Sequence, residues 1–182
     1  KTLEHDPDCY LCPGNTRANG VSNPDYKSTY TFVNDFSALI QNMPDFATNE
    51  SDMLVSRSEK GICKVICFSP KHNLTLAEMD KSDLEQVIRT WQAEYKSIGE
   101  LEHINYVQIF ENKGEIMGCS NSHPHGQIWA QETVPDEPAR EQEHQFRYFS
   151  ERNSPMLIEY IKIELTKRER IIYENDSFVL LV

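Results

Sequence analysis

The chain has 182 residues, of which 38% are hydrophobic, and a formal net charge of −11 at pH 7. A chain of this length can fill one hydrophobic core, and no apolar run approaches the roughly 20 residues that a membrane-spanning helix needs. The acidic balance argues against general nucleic-acid binding, which requires a basic face. The five cysteines, an odd number, suit a secreted disulfide framework poorly and favour a reducing cytosol. The sequence therefore predicts a soluble cytoplasmic protein that binds neither nucleic acid nor a membrane.

The first motif along the chain is a Cys-x-x-Cys, formed by Cys9 and Cys12 in a loop that contains proline and glycine. Alone, the motif fits a zinc site, a redox pair or chance. No βαβ pattern surrounds it, which weakens the thioredoxin-like interpretation. A zinc site needs two further ligands, and the histidines available after strands are His72 and His123. The residues alone leave these alternatives open.

The next segments are mainly β-strands. Residues 28–33 are rich in β-branched and aromatic side chains, which favours a strand, and this strand ends at the short polar residues Asn34 and Asp35. Residues 37–60 are polar and predict an irregular loop. Residues 61–69 form a strongly β-biased run that leads into the loop carrying His72.

Residues 82–99 predict an amphipathic helix. Ser82 and Glu85 have the spacing of a capping box, and Gly99 suits the end of the helix. Apolar side chains recur between them at helical spacing, which is typical of a core-packing face. The members of this stripe are Leu84, Val87, Ile88, Trp91, Tyr95 and Ile98.

The remaining elements predict an α+β domain, a mostly antiparallel sheet with helices packed on one side. Residues 105–111 alternate as a half-buried strand that delivers Asn112 to a loop. Because the connection to the next strand is short, these two strands are expected to pair antiparallel. Further along, two helices and two strands are expected: residues 136–152, 154–167, 171–173 and 178–182.

The most unusual stretch is residues 118–130, in which His123 and His125 flank a proline. The residue before a proline prefers extended backbone, and the alternation that follows has the two-residue period of a strand. His125 and Gln127 should therefore point the same way, and Gly126 would leave the opposite side open to close approach. Upstream small residues could offer backbone N–H groups to an anion.

Such a stretch could place a nucleophilic or metal-binding histidine beside a phosphate pocket. A strand with two ordinary histidines is the alternative. It is disfavoured because the same dozen residues also supply further polar and reactive side chains, namely Cys119, Ser120, Asn121 and Gln127.

This stretch resembles the active-site signature of the galactose-1-phosphate uridylyltransferases, a branch of the histidine-triad superfamily. The resemblance continues in order along nearly the whole chain, through residues 9–15, 23–26, 33–36, 65–70 and 110–114. In one departure the family usually has proline where this chain has Ser122, a change that removes no reactive group. The resemblance implies a single histidine-triad-like nucleotidyltransferase domain over residues 1–182, expected to be the N-terminal half of a longer protein with two similar halves.

The resemblance also implies an activity, the exchange of UMP between UDP-glucose and galactose 1-phosphate. His125 would attack the α-phosphorus and form a uridylyl-histidine, a role that suits neutral imidazole near pH 7. Ser120 and Gln127 would donate hydrogen bonds to phosphoryl oxygens. Asn34 and Asp35 would hold the uridine, although a turn cap is the simpler role for them. Further along, Asn112 would lie beside the phosphate turn.

The resemblance further implies a zinc ion held by Cys9, Cys12, His72 and His123. Glu141 matches a second metal site, for iron or a second zinc, whose other ligands lie outside this chain. The partners expected are UDP-glucose, galactose 1-phosphate and a second copy of the protein, as a homodimer.

Two alternatives stay open at this stage. One is a nucleotidyl hydrolase or phosphorylase of the same superfamily, and the other is a non-catalytic, zinc-stabilised module. The net charge of −11 is a difficulty for anionic substrates, because Lys113 is the one cation within all the motifs that carry the resemblance. Backbone dipoles, placed cations and a metal would have to make the pocket locally positive.

Overall fold

A computed structural model describes residues 3–119 and 121–182 of the chain. It divides into two compact units, Lys1–Thr133 and Val134–Val182, called here the first and second unit. In the described residues, no helix is both long enough and apolar enough to span a membrane.

The first unit is built on a four-stranded antiparallel sheet, a separate hairpin and one long helix. The elements are β1 (Tyr30–Val33), β2 (Ala47–Glu50), β3 (Leu54–Arg57), β4 (Gly61–Cys67), α1 (Lys81–Gly99), β5 (Tyr106–Phe110) and β6 (His125–Gln131). The order of the strands in the sheet is β1-β4-β6-β5, and the predicted antiparallel pair of β5 and β6 is confirmed.

One face of the sheet carries the apolar core. Alternate residues of the central strands β4 and β6 point to this face and pack against Val87 and Ile98 of α1. The strand residues in this core are Ile62, Ile66, Ile128 and Ala130. Trp91 packs at the edge of the same core against Phe68, as predicted for a core residue. The predicted helical stripe is narrower than expected, because Ile88 and Tyr95 are exposed.

The N-terminal segment covers the opposite face of the sheet. Leu11 and Tyr26 of this segment pack with Phe32, Val65 and Cys67 of the strands. His125 and Gln127 also point to this face, since the residues paired with them in register are Cys67 and Val65. The prediction that these two side chains share a face is therefore confirmed.

Gly126 lies between those two residues and points into the apolar face. A Cβ atom added there would lie 2.6 Å from the Phe68 ring and 2.9 Å from the Phe110 carbonyl oxygen. Both distances are below ordinary contact, so only glycine allows β6 to approach these groups. The close approach predicted at Gly126 is confirmed, and the group that approaches most closely is the ring of Phe68.

Two local predictions were wrong. Residues 37–60 contain the hairpin of β2 and β3, whose turn places Ser51 and Asp52 at positive φ. All eight strand residues of this hairpin are exposed, so no buried alternation marks it in the sequence. The capping box expected at Ser82 is also absent. Asp80 is the N-cap of α1, and a capping box forms upstream between Thr75 and Glu78.

The second unit contains two helices and a hairpin, as predicted. Its elements are α2 (Asp136–Arg152), α3 (Met156–Lys167), β7 (Ile171–Glu174) and β8 (Val179–Leu181). Asn153, at a φ of 51°, ends α2, and Pro155 precedes α3. The fully buried Glu164 of α3 is held by Arg170, whose Nε lies 2.7 Å from its Oε1. The α+β fold class with antiparallel sheets is confirmed.

Candidate active site and metal centre

His125, the first residue of β6, has one ring nitrogen fixed by the backbone. Its Nδ1 lies 2.7 Å from the carbonyl oxygen of His123, two residues earlier. A carbonyl oxygen only accepts hydrogen bonds, so Nδ1 carries a proton, and in the neutral imidazole the lone pair is then on Nε2. The backbone here is held in place because Phe68 N–H donates to the Pro124 carbonyl at 2.9 Å, which extends the pairing of β4 and β6. An imidazole in this state can act as a nucleophile or bind a metal through Nε2.

His125 lines two neighbouring cavities. The larger, about 420 Å³, is bounded by the loop of Asn112 and Lys113 and by the stretch from Asn121 to His125. The smaller, about 170 Å³, is bounded by Asn34, Asp35 and Gln127 among others. The structure thus brings His125 together with four of the residues singled out in the sequence. Ser120, the other predicted phosphate donor, lies outside the described residues.

Asp35, which lines the smaller cavity, belongs to a buried charge pair that the sequence does not predict. Asp35 Oδ1 accepts hydrogen bonds from Arg17 Nη1 at 3.1 Å and from Asn19 Nδ2 at 2.8 Å. The side chains of Arg17 and Asp35 are each 8% exposed, and the guanidinium lies 4.2 Å from the centre of the Phe32 ring. The carboxylate is therefore held in a fixed position. Residues 17 and 35 are separated by a loop and a strand, and no local pattern indicates their pairing.

Asn34 and Gln127 also have fixed side-chain orientations. Asn34 Oδ1 accepts the Phe36 N–H at 2.9 Å, which is the turn-capping role considered from the sequence. Gln127 Oε1 accepts the Trp129 Nε1–H at 3.2 Å. Because the amide oxygen of each side chain is bonded in this way, the NH₂ group is the end left to donate to a ligand.

The larger cavity has little positive charge. Glu111 and Glu115 line it on either side of Lys113 in the sequence. The charges of these three side chains do not favour an anion. Hydrogen-bond donors would have to supply most of the attraction for a phosphate, as the acidic composition already indicated.

A buried cluster of two cysteines and two histidines lies next to His125. One ligand atom from each of Cys9, Cys12, His72 and His123 lies within 4.8 Å of the other three. Cys12 Sγ is 3.6 Å from His72 Nδ1 and 3.5 Å from His123 Nδ1. A tetrahedral zinc with ordinary bond lengths separates a sulfur and a nitrogen ligand by about 3.6 Å. The donor set and these spacings fit a zinc-like cation, so the cluster could hold a metal.

In both histidines Nε2, the ring nitrogen that faces away from Cys12, contacts an oxygen that can accept a hydrogen bond from it. His123 Nε2 lies 2.9 Å from the Ser69 carbonyl oxygen and 3.1 Å from Tyr26 Oη. His72 Nε2 lies 2.8 Å from Ser122 Oγ. With protons on these two atoms, the Nδ1 lone pair of each ring faces Cys12 Sγ. Such outer contacts fix the ring orientation of metal-binding histidines.

Burial shifts the pKa of two members of this cluster. It raises the pKa of the Cys12 thiol to about 11 and lowers the pKa of His123 to about 4. At neutral pH the metal-free site therefore has a protonated Cys12 and a neutral His123. A cation that binds here must displace the thiol proton, so binding is coupled to proton release.

Glu141, the predicted ligand of a second metal, is an exposed residue of α2. In the part of the chain that the structure describes, it belongs to no cluster of metal-ligand side chains. Its other ligands were expected outside this chain, so the second site stays a prediction.

Comparisons with a family model and with curated proteins identify the same family. A family model described as "Galactose-1-phosphate uridyl transferase, N-terminal domain" matches residues 1–135. The galactose-1-phosphate uridylyltransferase of Kluyveromyces lactis is 46% identical over 191 residues, covering 98% of this chain and 52% of that protein. The Haemophilus influenzae enzyme of that name is 46% identical over 178 residues, covering 98% of this chain and 50% of that protein.

The fold is also found among solved structures. A structure titled as a uridylyltransferase superposes with a TM-score of 0.78 at 20% identity, covering 98% of this chain and 55% of that one. The chain therefore has the fold of this uridylyltransferase structure. The chain belongs to the galactose-1-phosphate uridylyltransferase family, in which it matches the N-terminal domain. It spans about half the length of the curated relatives it matches.

Proposed function

We propose that the full-length protein exchanges UMP between UDP-glucose and galactose 1-phosphate, with His125 as the nucleophile. One observation carries this proposal. The Nδ1–H of His125 is bonded to the His123 carbonyl at 2.7 Å, so the neutral ring has its lone pair on Nε2, in a side chain that lines both cavities. The names of the relatives support the choice of substrates.

The reaction proceeds in two displacements at the α-phosphorus of the nucleotide. His125 Nε2 attacks this phosphorus, a P–N bond forms, and the P–O bond to glucose 1-phosphate breaks with its electron pair on the departing oxygen. The uridylylated ring carries a positive charge, which its Nδ1–H shares with the His123 carbonyl. An oxygen of galactose 1-phosphate then attacks the same phosphorus, and Nε2 leaves with its lone pair restored.

The covalent intermediate keeps the two anionic sugar phosphates out of a single transition state. Holding each reactant in line with the phosphorus contributes up to about 7–11 kcal/mol of barrier reduction. Gln127 and Ser120 donate hydrogen bonds to the phosphoryl oxygens, and one such donor contributes up to roughly 3–4 kcal/mol. The smaller cavity takes the uridine beside Asn34 and Asp35. The larger cavity, beside Asn112, takes the sugar phosphate.

The metal centre has a structural role in this proposal. Zinc bound to Cys9, Cys12, His72 and His123 joins the N-terminal segment to the stretch that carries His125. Cysteine and histidine ligands of this number and spacing suit zinc better than magnesium or calcium, which prefer oxygen ligands. Glu141 contributes to a second site, for iron or zinc, with ligands from outside this chain. A cytosolic homodimer completes the proposal.

The test uses the full-length protein and UDP-glucose labelled at the α-phosphate. His125→Gly should abolish the uridylyl adduct and the release of glucose 1-phosphate while the circular dichroism spectrum stays unchanged. His144→Gly, at an exposed position of α2, is the matched control and should be fully active. An adduct that persists in His125→Gly would contradict the assignment.

Product analysis distinguishes the proposed transferase from related activities. UDP-galactose should form only when galactose 1-phosphate is present. UMP formed without an acceptor would indicate a hydrolase, and UDP formed with inorganic phosphate would indicate a phosphorylase. Either product as the main one would replace the proposed reaction.

A further inference from the structure

Ser122, which immediately precedes His123, contacts the metal-ligand cluster through its hydroxyl. Its Oγ lies 2.8 Å from Nε2 of His72, a residue 50 positions earlier in the chain. No sequence pattern indicates a role for this serine, which the resemblance singles out only as a departure from the usual proline. In the structure Ser122 is exposed, and its hydroxyl contacts a residue of the cluster.

The contact has a defined chemical meaning if His72 binds a cation. His72 Nδ1 is the atom that faces Cys12 Sγ, at 3.6 Å. A lone pair on Nδ1 requires the ring proton to be on Nε2. The Ser122 hydroxyl oxygen can accept a hydrogen bond from this Nε2–H. The contact therefore fits the tautomer that metal binding needs and holds the ring in that orientation while a metal is bound.

A second acceptor faces the same nitrogen from farther away. Oδ2 of Asp6 lies 3.9 Å from His72 Nε2, which is beyond hydrogen-bond range. Ser122 is thus the direct partner of His72, and the carboxylate adds at most a longer-range attraction. This difference in distance makes the two groups separable by mutation.

Three consecutive residues each contact a different member of the cluster. Asn121 Nδ2 donates to Cys9 Sγ at 3.4 Å, Ser122 contacts His72, and His123 Nδ1 lies 3.5 Å from Cys12 Sγ. The amide oxygen of Asn121 is already bonded to the His123 N–H at 2.8 Å, which fixes its NH₂ group as the donor. One short segment therefore positions the whole donor set. The contact of Ser122 with His72 is therefore one of three contacts that this segment makes with the cluster.

We propose that Ser122 is a positioning residue of the metal centre: its hydroxyl accepts a hydrogen bond from His72 Nε2–H, holds the ring in the orientation that ligation requires, and so slows metal release. The inference rests on the metal centre proposed above. Removal of a group that contacts a metal-binding histidine typically weakens metal affinity about 10–100-fold. Most of the effect should be in the release rate, because the hydroxyl acts on the bound state.

The experiment measures zinc release from the zinc-loaded, full-length protein to an excess of a chromogenic chelator. Ser122→Ala should release zinc about ten-fold faster than wild type or more. Ser122→Thr keeps the hydroxyl and should stay within about three-fold of wild type, since it retains the hydrogen bond. Ser97→Ala is the matched control, because the Ser97 hydroxyl donates only to the Glu94 carbonyl on α1, at 3.2 Å.

The outcomes separate this inference from the metal centre itself. If wild-type protein contains no zinc and takes none up, the metal centre fails. If it binds zinc and Ser122→Ala releases it at the wild-type rate, the role of Ser122 is wrong while the centre stands. Asp6→Asn should behave like wild type. If Asp6→Asn accelerates release as much as Ser122→Ala does, the carboxylate is the acceptor and the inference is overturned.

Discussion

The two faces of the central sheet are held by different kinds of interaction. On the face covered by α1, Ile66 and Ile128 are fully buried and pack against Val87 of the helix. On the opposite face, the N-terminal segment packs through a smaller apolar cluster around Leu11, and buried polar contacts among Tyr26, Cys12 and His123 add to it. The first face depends on apolar burial, which is the same with or without a ligand. The second face carries the buried cysteine and histidine side chains that could hold a cation, and it also carries His125.

Metal removal should have the largest effect on stability, and this effect should arise on the second face only. Chelation of the zinc, or Cys12→Ala, should lower the free energy of unfolding of the first unit by several kcal/mol, below the roughly 10–16 kcal/mol of zinc-finger peptides. The effect is smaller than in those peptides because the α1 face keeps its apolar core. Urea unfolding with and without chelator measures it. Identical curves would show that the second face needs no metal.

A core substitution should instead act equally in both conditions. Ile128→Ala removes buried methyl groups from the α1 face and should cost about 2–5 kcal/mol. The loss should be the same in the zinc-loaded and chelated proteins, because Ile128 points away from the cluster. Ile128→Val, a milder change at about 0.5–1.5 kcal/mol, calibrates the urea measurement. A cost that appears only with zinc bound would mean that the two faces are coupled.

The pH dependence of the metal-free protein distinguishes the faces in a third way. Burial lowers the pKa of His123 to about 4, from an ordinary value of 6.5. Between these values the unfolded chain binds the proton and the folded protein does not, so stability falls as the pH drops from 6.5 to 4, by up to about 3 kcal/mol. His123→Gln should flatten this dependence, whereas His144→Gln should preserve it. An unchanged slope in His123→Gln would assign the effect to other groups.

Much of the fold follows from local patterns in the sequence. The alternation of residues 105–111 and 125–130 identifies both strands of the pair β5 and β6, and the charged run of residues 136–152 identifies α2. The hairpin of residues 47–57 was missed, because its exposed strands bury no face that would impose a pattern. The cap of α1 was misplaced by two residues, since neighbouring polar residues satisfy the same cap preference.

The site is predictable only in part, and distance along the chain is the reason. The resemblance singled out Cys9, Cys12, His72 and His123, which the structure brings together. The contacts that orient the site join residues far apart, such as Ser122 with His72 and Arg17 with Asp35. No local periodicity encodes such pairs. They arise only after the strands align and bring their loops into contact.

The smallest expected effect concerns one hydrogen bond on the His125 face. Trp129→Phe keeps the ring but removes the N–H that donates to Gln127 Oε1. A neutral hydrogen bond contributes about 0.5–1.5 kcal/mol, so the turnover number should fall about 2–10-fold as Gln127 loses its orientation. The free energy of unfolding should barely change. Gln127→Ala should lower turnover further, and Trp129→Phe in that background should then have no additional effect.

The measurement that tests the central claim most directly is the location of the covalent adduct. The full-length protein is mixed with UDP-glucose without galactose 1-phosphate, quenched under mildly alkaline conditions and analysed by peptide mass spectrometry. We predict one uridylyl group on Nε2 of His125, lost again when galactose 1-phosphate is added before the quench. A uridylyl group on another residue, or complete turnover with no adduct in rapid-quench samples, would contradict the assignment of His125 as the nucleophile.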